Sequence, residues 1–378
     1  MTTPTFEQLT AALSTVEDPE IRRPITELGM VKSAEVDADG TARVAIFLTV
    51  SGCPMKETLT QRVTTAVGAL PGVQRVLVEL DVMSSDQRKA LQTLLRGDYP
   101  TREIPFARPG SLTKVFAIAS GKGGVGKSSV TVNLAAAMAV KGLSVGVLDA
   151  DIYGFSIPRM LGVTQRPTQV ESMIMPPSAH GVKVISIGMF TKDNTPVVWR
   201  GPMLHRALQQ FLGDVFWGDL DVLLMDLPPG TGDVAISVAQ LVPSAEVLVV
   251  TTPQLAAQEV AERAGSIALQ THQRIAGVVE NMSWLPCPHC GDRVDVFGSG
   301  GGQAVASSLS QRLGASVPLL GQVPLDMRLR EGGDSGRPLV LDDPDAEASK
   351  VLIGIAESLT GKPRGLAGMS LGLSPAGR

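Results

Sequence analysis

Aromatic side chains are nearly missing from this sequence, at 4% of 378 residues. A core must therefore be built from aliphatics, which suits parallel strands of Val, Ile and Leu covered by Ala-rich helices. Cysteine is as scarce: Cys53, Cys287 and Cys290 are the three in the chain. In a reducing compartment such a small set points to metal or redox groups rather than to a disulfide framework. No apolar run reaches the roughly 20 residues of a membrane span. The first residues, MTTPTFEQLT, also lack the basic start and apolar stretch of a secretory signal, so a cytoplasmic protein with no membrane partner is expected. Positive charge is not in excess either. The net charge is -4, which removes the electrostatic ground for non-specific binding to nucleic acid.

What is present is ordinary globular material. Hydrophobic residues at 44% and charged residues at 19% exclude a mainly disordered chain. The length implies two domains, each with its own core. Residues 1–85 read as a small α+β unit. It has a helix at about 5–16, strands VKSAEVDA and ARVAIFLTV joined by Asp39-Gly40, a helix KETLTQRVTTAVGAL stopped by Pro71-Gly72, and a strand VQRVLVELDVM. Residues 86–113 turn polar, carry the short helix QRKALQTLLRG and then three prolines, and read as a linker.

Over 114–360 short aliphatic strands alternate with helical stretches: VFAIAS, LSVGVLDA, VKVISI, DVLLMD, AEVLVV, RIAGVVEN and VPLLG. That alternation implies crossover helices and an α/β domain with a doubly wound, mostly parallel sheet. Residues 361–378 are rich in Gly, Pro and Ser without a periodic face, and a disordered tail is expected. No internal repeat is evident.

Between VFAIAS and the next helix lies GKGGVGKSS, with Gly121, Gly126, Lys127 and Ser128 in the fixed places of a phosphate-binding P-loop. Glycines such as Gly121, Gly123, Gly124 and Gly126 let backbone N–H groups, including those through Val125 and Ser129, turn inward around phosphates. Lys127 reaches the β/γ oxygens and the Ser128 hydroxyl is a magnesium ligand. A ligand-free glycine turn is the bland reading, disfavoured by the strand and helix on either side. Lys122 adds a cation directly after the first glycine. It reads either as a solvated lysine or as a charge clamp on a neighbouring subunit's nucleotide.

Two further strand ends carry acids at the carboxyl edge, where a doubly wound sheet collects its ligands. In Asp149-Ala150-Asp151, Asp151 is placed to hold magnesium through water or to orient the attacking water. Asp226, ending DVLLMD, is a natural second acid for the metal, with Gly230 and Thr231 behind it to sense the γ-phosphate. The competing reading for these acids is helix or turn capping. Asn281 ends RIAGVVEN, and its amide offers donor and acceptor to an adenine edge or to a cap.

Cys287-Pro288-His289-Cys290 follows in a loop. The spacing lets both thiolates face one metal, yet leaves a tetrahedral centre half filled. A two-fold dimer would supply four thiolates, for a bridging iron–sulfur cluster or a zinc. A thioredoxin-like redox pair is the rival, although its motif belongs at a helix start in another fold. His289 reads as a solvated loop residue. Cys53 precedes a helix, whose dipole favours thiolate; a buried inert cysteine is equally plausible there.

As a set, GKGGVGKSS, DADIYGFS, DLPPGTGD and VVENMS resemble the ATPases that include MinD, the nitrogenase iron protein and the Mrp/ApbC/Nbp iron–sulfur carriers. The resemblance is closest to Mrp/ApbC and covers about 110–360. It implies an ATP-dependent homodimer in which Lys122 is the signature lysine, Asp151 the switch I acid, Asp226 to Thr231 switch II, and Asn281 the adenine contact. It also implies that Cys287 and Cys290 bind a bridging [4Fe-4S] cluster for delivery from a donor to apo-proteins. The first 85 residues, with DPEIRRPITELGMV and SGCPMKETL, resemble the small domain of iron–sulfur assembly proteins. A MinD- or ParA-like positioning protein and a zinc-stapled ATPase remain the alternatives.

Overall fold

The computed structural model describes residues 4–49, 55–96, 103–108, 110–151, 154–190, 201–230, 232–254, 268, 270–271 and 273–361. The small domain begins with α1 (Phe6–Ser14), started by a reciprocal cap: Thr5 Oγ1 accepts from the Gln8 amide, and the Gln8 side chain accepts from the Thr5 amide. Then come β1 (Val31–Val36), β2 (Thr41–Leu48), α2 (Lys56–Gly68) and β3 (Arg75–Val82). Strand β2 is central, antiparallel to β1 and parallel to β3, as a β–α–β crossover requires. Ala42, Val44, Ile46 and Leu48 alternate inward from it onto Leu9 and Leu13 of α1 and Leu59, Val63 and Val67 of α2.

Helix α3 (Ser85–Arg96) opens the stretch expected to be a linker. Its Leu91 is buried in the small domain's core, while Arg88 pairs with Glu171 at 3.0 Å and Gln92 donates to Ser172 at 2.7 Å. The start of that stretch is thus a helix packed on the small domain's core and tied to Glu171 and Ser172.

The second domain runs through β4 (Lys114–Ser120), α4 (Lys127–Val140), β5 (Val145–Asp149), the short α5 (Ile157–Met160), β6 (Thr168–Val170), β7 (Met173–Met175), β8 (Ser178–Ala179) and β9 (Val182–Ser186). It continues with α6 (Gly201–Gly213), β10 (Val222–Asp226), α7 (Asp233–Leu241), β11 (Glu246–Thr251), β12 (Ile275–Glu280), β13 (Leu285–Pro286), β14 (Arg293–Val294), the helix Gly301–Leu313 and β15 (Leu319–Gln322). Three helices follow, ending with Glu347–Thr360.

The large sheet has the order β15-β12-β11-β4-β10-β5-β9-β8 and is parallel except for β8, so the domain is α/β and doubly wound. One apolar layer joins α6, α7 and Gly301–Leu313 to it, and the other joins α4 and the C-terminal helix. The strands are buried on both faces, hence their continuous aliphatic runs. Strand β4 lies centrally between β11 and β10, which sets the loop after it at the middle of the carboxyl edge. The β6–β7 hairpin leaves this sheet, and its Val170, Met173 and Met175 join the small domain's core.

Candidate functional site

Gly121 to Ser129 link β4 to α4 as strand, loop and helix. Gly124 and Gly126 have φ of +79° and +78°, left-handed values that a side chain would strain. A Cβ on Gly126 would also stand 2.2 Å from Asn281 Nδ2. The loop therefore needs glycine here twice over, for its turn and for its neighbour.

Lys127, at the first turn of α4, is 6% exposed and lies 2.6 Å from Asp226 Oδ2 at the end of β10, whose side chain is 1% exposed. Ser128 Oγ donates to the same oxygen at 2.6 Å, and Thr131 Oγ1 donates to Oδ1 at 2.8 Å. One carboxylate thus gathers the loop lysine, the loop hydroxyl and the next turn of the helix. A hydroxyl and a carboxylate that converge this closely form a hard oxygen donor set of the kind magnesium takes, so Ser128 and Asp226 fit that ion.

Asp149, at the end of neighbouring β5, is fully buried. Burial first, then the charge of Asp226, raises its pKa to about 7. It accepts from Ser186 Oγ at 3.1 Å and from the amides of Asp151, Ser156 and Ile157 at 3.2 to 3.3 Å. For Asp149 the capping reading is what the geometry shows: it pins the turn that starts α5. Asp151 is left on that turn, with Oδ1 accepting from the Gly154 amide at 3.0 Å.

Behind Asp226, the Gly230 amide donates to Ser120 O at 2.8 Å, which ties this second loop to the base of the phosphate loop. Thr231 lies outside the described residues, as does Cys53. Lys122 Nζ donates to Gln254 Oε1, just past β11, in its own chain. Asn281, 4% exposed, donates from Nδ2 to Val125 O at 2.9 Å and so braces the loop backbone. It also lines a cleft of about 530 Å³ beside the loop, with Gly126, Ser129, Met282, Leu325 and Arg330. The far wall of that cleft, around Leu325 and Arg330, was not marked by any sequence motif.

The chain then leaves the sheet in the β13–β14 hairpin, paired through Leu285–Val294 and Pro286–Arg293. Arg293 stacks its guanidinium 4.0 Å over the Trp284 ring. Cys287 and Cys290 stand at the tip, the first half-buried and the second exposed. The Cys287 amide donates to Asp292 O, and the Gly291 amide to Cys287 O, both at 2.8 Å. Backbone amides of Cys290, then His289, together with the Cys290 side chain, hold the Cys287 thiol below its usual pKa. Cys290 Sγ is 3.2 Å from Asp292 Oδ2, and His289 is exposed. Among the described residues no group of three or more His, Cys, Asp or Glu gathers at metal-binding distance.

A parallel sheet with this loop at its centre, a buried lysine–aspartate pair and a cleft beside it define a nucleotide-binding P-loop NTPase. Comparison with known proteins narrows the class. The family model described as the NUBPL iron-transfer P-loop NTPase, of the ParA group, matches residues 111–360, and that of the iron-sulfur cluster assembly protein matches 7–79. The chain is 69% identical over 367 residues to the iron-sulfur cluster carrier protein of Mycobacterium bovis, covering 97% of this chain and 96% of that one. It is 40% identical over 364 residues to the protein of the same name from Synechocystis sp., covering 95% and 98%. A solved nucleotide-binding protein from Archaeoglobus fulgidus in complex with ADP superposes with a TM-score of 0.55 at 35% identity, covering 66% of this chain and 95% of that chain. The chain belongs to the iron-sulfur cluster carrier family of P-loop NTPases, with an iron-sulfur assembly domain ahead of the NTPase domain. Among the described residues no helix is long and apolar enough to cross a membrane.

Proposed function

We propose that the chain is an ATP-hydrolysing homodimer that carries an iron–sulfur cluster on Cys287 and Cys290 of both subunits and passes it to apo-proteins. The observation that carries this reading is the hairpin that holds both thiols at one tip, directly after the strand whose Asn281 braces the phosphate loop. Among the described residues no group of three or more His, Cys, Asp or Glu gathers around the two thiols, so a four-thiolate centre would be completed by a second copy. Thiolate softness suits iron–sulfur cargo, and the relatives are named for it.

In this mechanism the loop amides and Lys127 bind the phosphates of ATP. Magnesium, held by Ser128 and Asp226 with Asp151 at second remove, would neutralise charge on the phosphate oxygens. Asp151 orients the attacking water. Lys122 reaches the nucleotide of the other subunit, adding positive charge where negative charge develops. The Asn281 cleft takes the adenine. Cys53, in the small domain, serves as a relay thiolate between donor and carrier.

Anaerobic reconstitution with iron and sulfide tests the proposal, followed by iron, sulfide and zinc counts, the visible spectrum and ATP turnover. A brown protein that hydrolyses ATP and delivers iron to an apo-enzyme is expected. A colourless protein that binds zinc alone at the two cysteines would favour a zinc-stapled ATPase. ATP-driven surface binding with no cargo would favour a positioning protein.

A further inference from the structure

Glu280 is the last residue of β12 and is fully buried, yet it forms no ion pair among the described residues. Every partner of its side chain is a donor. Oε1 accepts from Ser283 Oγ and from Gln322 Nε2, each at 2.7 Å, and Oε2 accepts from the Gly302 amide. Ser283 begins the excursion that carries Cys287 and Cys290, and Gly302 lies where that excursion returns into the helix Gly301–Leu313. A single carboxylate therefore clamps both stems of the cysteine hairpin to the end of one strand. The closeness is built in, because a Cβ on Gly302 would stand 2.7 Å from Glu280 Cβ.

The next residue is Asn281, whose side chain holds Val125 O of the phosphate loop. Successive residues of a strand face opposite sides of the sheet. The packing agrees: Val278 lies in the apolar layer with the helix Gly301–Leu313, and Val279 in the layer with α4. One strand end thus grips the phosphate loop on one face and the cysteine stems on the other.

We propose that Glu280 is a positioning residue that couples the phosphate loop to the cysteine pair. A shift of the loop on nucleotide binding pulls on Asn281, and the same displacement of the β12 end moves both stems through Glu280. This deepens the cargo reading above, which gives the coupling its use.

The test is alkylation of Cys287 and Cys290 by iodoacetamide in the full chain, followed by mass spectrometry with and without ATP. Glu280→Gln sets an amide N–H against one of the three donors, and Ser283→Ala removes the hydroxyl that ties the first stem to Glu280 while leaving the Gln322 and Gly302 contacts in place. In the wild type, ATP is expected to change the alkylation rate by about fivefold or more, the lower end of ordinary allosteric coupling. In Glu280→Gln the change should vanish and in Ser283→Ala it should shrink, with the nucleotide-free rate and the ATP affinity kept near wild type. Variants that respond to ATP like the wild type would overturn the proposal, as would a wild type with no response. A nucleotide-free rate that climbs to that of unfolded chain would also overturn it, since Glu280 would then merely keep the hairpin folded. The readout needs no cluster, so a chain that never takes up iron defeats the cargo reading and leaves this one standing.

Discussion

Lys127 and Asp226 stand 2.6 Å apart at the centre of the sheet edge, with their side chains 6% and 1% exposed. Removing the ammonium leaves a buried carboxylate whose remaining side-chain partners among the described residues are the Ser128 and Thr131 hydroxyls. Lys127→Ala is expected to abolish ATP binding and to lower stability by about 3–5 kcal/mol. Combining it with Asp226→Asn should recover most of the stability and none of the binding. Denaturant unfolding and nucleotide titration separate the two effects. Wild-type ATP affinity in a folded Lys127→Ala chain would refute the phosphate-loop assignment.

Asn281→Ala removes the amide that braces Val125 O and faces the cleft. A lost buried hydrogen bond is worth about 1–3 kcal/mol, so ATP should bind roughly 5- to 150-fold more weakly. Gly126→Ala is expected to do worse, since it meets both the strained φ and the Asn281 amide. Isothermal titration reads both.

Lys122 donates to Gln254 in its own chain, whereas its proposed target is the nucleotide of the other subunit. Lys122→Ala should keep ATP binding and lose hydrolysis. Mixing it with a hydrolysis-dead subunit that retains Lys122 should restore turnover. No rescue at any mixing ratio would remove the action in trans.

Asp149 gives a pH prediction. Its pKa rises from 3.8 to about 7 on folding, chiefly by burial. Between those values the folded chain keeps a proton that the unfolded chain has lost, so this group's stabilising effect is full at the acid end and fades as pH rises towards 7. Glu20, raised to about 7 by burial and by Asp18, acts in the same direction. Asp149→Asn should therefore flatten part of the fall in unfolding free energy between about pH 4 and 7. Identical slopes in mutant and wild type would show that Asp149 does not carry that proton.

The strands and the phosphate loop were legible in the sequence because each is a local signal. A buried parallel strand is a run of aliphatics, and GKGGVGKSS is a fixed spacing. The β6–β7 hairpin was not legible. Its strands of three residues are too short for a period, and Val170, Met173 and Met175 are apolar on account of another domain's core. Thr131 could have been found, since it sits one turn after Lys127 on the same helix face. Leu325 and Arg330 could not. They line one cleft with Asn281 because β15 lies beside β12, and nothing in their local sequence says so. Asp149 and Asp151 illustrate a second limit: one ends the strand and the other stands two residues on, and only the hydrogen bonds reveal that Asp149 holds the start of the short helix while Asp151 accepts from Gly154.

The central claim is that two chains share one cluster, and its most direct measurement is iron and sulfide per chain, taken with the mass of the reconstituted particle. The expected result is a dimer with about four irons and four sulfides per two chains, in keeping with four thiolate ligands. Both should be lost in Cys287→Ala and in Cys290→Ala, with ATP binding retained. One complete cluster per chain, or a cluster that survives loss of both cysteines, would contradict it.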